Sequence, residues 1–191
     1  SSLPVPSAGS RPTVESGSPP ETRAKVSGDR LAALLQTHFR TVWRAVRRFG
    51  VTEDVADDAA QEVFIIAARK LETIEPGREL NFLYGIALRI AANTRRARGR
   101  RHDHGDEEAL DAASADGPLP DALLDQKRMR ELLDVVLDQL EEDLRTVFVL
   151  FELEGLVVRE IAELLEIPLG TAASRLRRAR ESFEVLTARA R

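Results

Sequence analysis

The chain has no cysteine among its 191 residues, which excludes disulfides, thiolate metal sites and cysteine nucleophiles and suits a reducing compartment. It also lacks any long apolar run. The longest uncharged apolar stretch, Val63 to Ala68, is far too short to cross a bilayer, and the N-terminal segment has no signal-peptide core, so a protein without membrane insertion, in the cytoplasm, is expected. No stretch alternates with period two for long enough to make a strand. There is no Ser/His/Asp grouping, no phosphate-cradling glycine loop and no cluster with metal-ligand spacing; His102 and His104 with Asp103 fall in a breaker-rich loop without an ordered partner. Catalytic residues, cofactors and metals are therefore assigned to none.

What is present is helical periodicity and segregated charge. The net charge of -4 is a sum over blocks of opposite sign. Residues 1–28 are rich in Ser, Pro and Gly without apolar pattern and are expected to form a disordered tail. From Asp29 to Gly50, Leu31, Leu34, Phe39, Val42, Val46 and Phe49 fall on one helical stripe, with His38 beside it as a packed residue. A second helix, capped by Thr52, runs to about Leu71 with an acidic and amide-bearing outer face containing Asp57, Asp58, Gln61 and Glu62. A third follows from about Asn81 and ends in Arg89, Arg95, Arg96, Arg98, Arg100 and Arg101, with no acid among residues 88–101. So one-sided a surface suits a polyanion. Residues 102–126 then carry eight acids and no Lys or Arg, with Gly105, Gly117, Pro118 and Pro120, as a flexible acidic linker would.

A second ordered block spans 127–191. One helix carries Leu132, Leu133, Val136, Leu137 and Leu140, and another, over about 142–154, carries Leu144, Val147, Phe148 and Phe151. After Gly155, the stretch VVREIAELLEIPLGTAASRLRRAR reads as a helix-turn-helix: Val158, Ile161, Ala162 and Leu165 mark its first helix, Pro168 stops it, and Thr171 is placed to cap its second. On a wheel, Ala172, Leu176, Ala179, Phe183 and Leu186 share the buried face, while Ser174, Arg177, Arg178 and Glu181 lie opposite, flanked by Arg175 and Arg180. Four arginines in six positions before the first acid suit a helix lying in the major groove. The fold class expected is all-α: two small helical domains, 29–101 and 127–191, joined by a flexible acidic linker, the C-terminal one with a helix-turn-helix.

The order of these pieces resembles a sigma factor of the extracytoplasmic-function (ECF) type. DVADDAAQEVFIIAARKL looks like the family's second region, and the resemblance implies core RNA polymerase docking through Asp58, Gln61 and Glu62. NFLYGIALRIAANTRRARGRR resembles the part that opens and reads the minus-ten element, with Phe82, Leu83, Ile86 and Ala87 on its WLxxIA-like core; it implies DNA contacts by Asn81, Arg89, Arg95, Arg96, Arg98, Arg100 and Arg101. DLRTVFVLFELEGLVVREIAELLEIPLGTAASRLRRAR is similar to the fourth region. It implies minus-thirty-five contacts by Thr171, Ala173, Ser174, Arg175, Arg177, Arg178 and Arg180, with Arg175 and Arg180 on phosphates. The chain departs from the family pattern at Phe82 (usually Trp), Arg89 (often Asn), Glu166 (a turn Gly) and Ala172 (Val), and lacks the Pro usual before the 142–154 helix. The resemblance further implies promoter DNA and an anti-sigma factor as partners. Two other readings stand beside it: a helix-turn-helix regulator that binds an operator without polymerase, and a helical adaptor that binds only protein.

Overall fold

The computed structural model describes residues 20–103 and 121–190, with side chains described for 27–100 and 127–190. Residues 1–19 and 104–120, which hold most of the tail and linker of the sequence reading, lie outside the described residues. Those described form seven α-helices and no strand: α1 (Pro20–Arg48), α2 (Glu53–Arg69), α3 (Glu79–Asp103), α4 (Asp121–Asp138), α5 (Glu142–Phe148), α6 (Val158–Leu164) and α7 (Leu169–Ala190).

The first three helices pack on one another because each carries an apolar stripe. Val42 and Val46 of α1 with Phe49 just beyond its end, Ala56, Ala60 and Val63 of α2, and Leu83, Ala87 and Ala91 of α3 are buried, and Phe39 stacks on Phe64 with centroids 5.8 Å apart. Arg30 reaches from α1 to the connection between α2 and α3, donating to the Leu71 carbonyl at 3.0 Å. Helix α1 begins earlier than expected: it enters at Pro20, inside the stretch read as tail. Proline is well placed there, since the first turn needs no N–H donor and its φ is already helical. Thr52 stands at the α2 N-cap with extended backbone, but its side chain makes no capping bond.

In the second block, α5 and α7 meet through Leu144, Phe148, Leu176 and Ala179, and Phe148 stacks on Phe183 at 4.5 Å. The helix expected over 142–154 changes character: it is α-helical to Phe148 and π-helical over Val149–Leu153, with the Glu154 N–H donating to the Val149 carbonyl at 3.0 Å. The wider turn shifts the side-chain phase, so Val149 and Leu150 are buried and Phe151, placed inside by a 3.6-residue period, is only half-buried.

The helix-turn-helix closes through α6, a turn over residues 165–168, and α7. The Glu166 N–H bonds to the Glu163 carbonyl and the Ile167 N–H to that of Ala162, the two bonds of a Schellman motif. That motif needs a left-handed residue, and Glu166 supplies it at φ 54°. Here a side chain occupies a position suited to glycine, at a local cost of about 1–2 kcal/mol. Glu166→Gly removes that strain but frees the unfolded chain by about 0.5–1 kcal/mol, so we expect a net gain of about 0.5 kcal/mol in stability; chemical denaturation followed by circular dichroism measures it, and a loss of stability would contradict the strain. Helix α7 begins at Leu169, so Thr171 sits within its first turn and not at its cap; Pro168 precedes the helix, and its carbonyl takes the Thr171 N–H at 2.9 Å.

Candidate nucleic-acid interface

Helix α7 is held by one face and offers the other. Ala172, Leu176 and Ala179 are buried, while Ala173, Ser174, Arg177 and Arg178 are exposed on the opposite side. The small Ala173 side chain leaves the helix backbone open to close approach. Ser174 donates back to the Thr171 carbonyl at 3.0 Å. Arg177 pairs with Glu181 one turn on at 2.6 Å, both side chains well exposed; such a pair is worth about 0.3–0.5 kcal/mol and yields easily to a better acceptor. Arg178 has no ion-pair partner among the described residues.

Arg175 and Arg180, which flank that face, are not free. Arg180 donates to Glu152 at 2.6 Å, and its guanidinium lies 5.0 Å from the centroid of the Phe151 ring. Arg175 is turned inward, its side chain 23% exposed and paired with Asp143 of α5. Any phosphate that either one takes must replace a carboxylate already in place.

Along α3 the basic residues divide in the same way. Arg89, Arg96, Arg98 and Arg100 are exposed, and Arg96 donates to Asn93 and to the Ala92 carbonyl. Arg95 is drawn to Glu142 at the start of α5. Asn81, at the other end of α3, donates to Glu160 of α6 at 3.4 Å. The side chain of Arg101 lies outside those described. Arg89, Arg95, Arg96 and Arg175 line one groove between α3 and the helix-turn-helix, together with Glu62.

On α2, Asp58, Gln61 and Glu62 are exposed on one face, while Asp57 is taken by the Trp43 indole N–H at 2.8 Å. The same face carries Ile65, 53% exposed, at the i, i+3, i+4, i+7 spacing from Asp58 that places all four side by side. The apolar run Val63 to Ala68 had hidden it: Ile65 reads as core by composition, and only its wheel position, off the stripe of Val63, Ile66 and Ala67, marks it as outward.

The sequence also gave no sign of the acidic partners. Glu142, Asp143, Glu152 and Glu154 of the second block each hold an arginine or a tyrosine that a one-dimensional reading leaves unpaired. No group of three or more His, Cys, Asp or Glu side chains that could hold a metal ion occurs among the described residues, and no described helix is long and apolar enough to cross a membrane.

Comparison with known proteins fits this arrangement of helices. Residues 34–101 match the model of sigma-70 region 2, and residues 130–183 that of sigma-70 region 4. The chain is similar to the ECF RNA polymerase sigma-E factor of Escherichia coli strain K12, with 35% identity over 147 residues, covering 73% of this chain and 76% of that protein. It is also similar to the ECF RNA polymerase sigma factor SigE of Mycolicibacterium smegmatis, at 31% identity over 78% of this chain; the chain spans 58% of that relative's length. Two solved structures share the fold. CnrH, in complex with the cytosolic domain of CnrY, superposes with a TM-score of 0.61 at 23% identity over 86% of this chain and 94% of its own. The sigma factor RpoE in complex with the anti-sigma factor NepR from Bartonella quintana gives 0.62 at 22% identity over 81% and 94%. Helix order, the two matched regions and the identity to ECF relatives agree, and the chain belongs to the sigma-70 family as an ECF RNA polymerase sigma factor, a transcription initiation factor.

Proposed function

We propose that the chain docks on core RNA polymerase through the α2 face of Asp58, Gln61, Glu62 and Ile65 and carries it to promoters through two DNA-facing surfaces. The minus-thirty-five element is read by the exposed side of α7: Ala173, Ser174, Arg177 and Arg178 at base edges, with Thr171, Arg175 and Arg180 toward the backbone. The minus-ten element is taken by α3, through Asn81, Arg89, Arg95, Arg96, Arg98, Arg100 and Arg101. Residues 29–101 and 127–191 act as the two modules and 102–126 as the acidic linker. The role is that of a binding and positioning subunit in the cytoplasm, without catalysis of its own. An anti-sigma factor is the regulator this reading implies, as in the RpoE–NepR complex.

The observation that carries the reading is the pairing of faces: a docking-type stripe left exposed on α2 and a recognition helix whose unburied side holds Arg177 and Arg178. A titration of labelled chain against core polymerase in the absence of DNA tests it. We expect saturable binding, weakened about tenfold or more by Asp58→Lys, by Glu62→Lys and by Ile65→Asp, since a reversed charge or a buried carboxylate at an interface costs well over 1 kcal/mol. All three positions are solvent-exposed, so the isolated fold should hold. An operator-binding regulator would show no affinity for core. Normal affinity in all three variants would remove this face from the docking site.

A further inference from the structure

Helix α6 carries one arginine, and its own module makes no use of it. Arg159 is exposed in the first turn of α6 and has no hydrogen-bond or ion-pair partner among the described residues. Its neighbours in the helix-turn-helix are treated differently. Of the five arginines at positions 159–180, Arg175 is paired with Asp143, Arg177 with Glu181 and Arg180 with Glu152, which leaves Arg159 and Arg178.

Acids are not lacking around Arg159, since Glu160, Glu163 and Glu166 follow it closely in the chain. Glu160 is spent elsewhere: it accepts the Val157 N–H at 2.9 Å and is bonded by Asn81. Glu163 stands one turn on, but an arginine that precedes its acid has the weaker of the two orientations, and the pair is not made. A cation in the first turn of a helix also opposes the peptide dipoles. Arg159 therefore stabilises nothing in its own helix and stands where an acid would be favoured.

Buried Ile161 and Ala162 fix the inner face of α6. The outer surface has two halves. Glu160 and Leu164 share the half turned toward α3, where Asn81 meets Glu160 and Leu164 Cδ1 lies 3.2 Å from the place a Cβ on Gly85 would take. Arg159 and Glu163, one turn apart, share the half directed away from α3.

A helix-turn-helix lays its second helix in the major groove while its first crosses the sugar-phosphate backbone. With Arg177 and Arg178 toward the bases, α6 is the helix that meets the strand at the edge of the groove. Glu160 already covers the Val157 N–H at its start, so what α6 can offer a phosphate is the Arg159 side chain. Arg175 and Arg180 must each leave a carboxylate before taking a phosphate, and Arg159 need not. We infer that Arg159 is the backbone anchor of the upstream element: its guanidinium takes one phosphodiester at the border of that element and holds α6 across the strand while α7 reads the bases. The inference rests on the proposed function and adds to it a contact that is blind to sequence, because phosphate oxygens are alike at every step.

The full chain assembled with core polymerase and titrated onto duplexes carrying the upstream element tests the anchor. Arg159→Ala should weaken every duplex about five- to tenfold in moderate salt and lower the slope of log affinity against log salt by about 0.9, leaving the preference among single-base variants unchanged. Arg159→Lys, which keeps the charge, should recover most of the loss. The sharper probe is an uncharged methylphosphonate placed at one backbone position at a time. At one border position it should weaken the unmutated protein about as much as Arg159→Ala does, and should weaken Arg159→Ala no further, a coupling that a merely structural arginine would not give. Full affinity in Arg159→Ala would overturn the anchor, as would equal sensitivity of both proteins to every methylphosphonate, an altered order of base preference, or weaker binding to core polymerase without DNA. An unmutated protein with no preference among the variants would sink the functional reading and the anchor with it. Preference retained without the coupling would sink the anchor alone.

Discussion

Replacing Leu176 by Ala is expected to cost about 2–5 kcal/mol of stability, because the side chain fills the seam between α7 and α5 and its removal leaves a cavity as well as lost burial. Leu176 is 5% exposed, between the fully buried Ala172 and Ala179, and α5 answers it with Leu144 and Phe148. None of these groups reaches the outer face of α7. Protein that remains folded should therefore keep its preference among promoter sequences. Denaturant unfolding gives the first quantity, and binding to a set of single-base variants of the upstream element gives the second. A changed order of preference among those variants would mean that the helix shifts or that the buried face was wrongly assigned.

Arg177→Ala and Arg178→Ala should show the reverse pattern: stability nearly unchanged, with about 1–3 kcal/mol lost on the correct upstream element and weaker discrimination between bases. Both side chains are exposed, and among the described residues the one ion pair either makes is the weak Arg177–Glu181 contact, so little folding energy is at stake. Arg180→Ala supplies the contrast. A phosphate contact carries little sequence information, so all duplexes should weaken about equally and the salt dependence should fall by about one charge. The structure refines that expectation, since Arg180 is held by Glu152 over the Phe151 ring. Glu152→Gln should then strengthen binding to every duplex alike, by freeing Arg180. Rank order untouched in both Arg177→Ala and Arg178→Ala would show that another side of α7 faces the groove.

These contrasts mark how far the sequence could be read. Helical periodicity placed Leu176, Ala179 and Phe183 on the inner side of α7, and Val42 and Val46 on that of α1 with Phe49 just beyond its end, because each helix buries one stripe and the period is local. Phe151 packs half-buried against the core, as Phe183 does, but the π-helical turn also buries Val149 and Leu150, which a 3.6-residue period did not select. Glu166 could be recognised as standing where a turn glycine is usual, yet its positive φ emerges only from the Schellman bonds around it. Thr171 and Thr52 looked like caps by residue type, and neither side chain bonds a helix terminus, one because the helix starts two residues earlier and the other for no reason visible in its surroundings.

The candidate site was legible as two blocks of arginine and one acidic helix face. Which arginines are available was not. Arg48 meets Glu154 across 106 residues, Arg95 meets Glu142 across 47, and Arg180 meets Glu152 across 28; pairings at such separations leave no period in the sequence, and only the tertiary packing of the helices brings them together. Ile65 was hidden for the opposite reason. Its type suggests core, and its position on the wheel among Asp58, Gln61 and Glu62 decides otherwise.

Run-off transcription with purified core polymerase on genomic fragments, with the 5′ ends of the products mapped, tests the central claim most directly. With the full chain added, RNA should start at defined sites that share two upstream elements, and a base change in either element should reduce the product. Core polymerase giving the same scattered starts with and without the chain, while the chain alone still binds duplex DNA, would contradict the account and leave a helix-turn-helix regulator in its place.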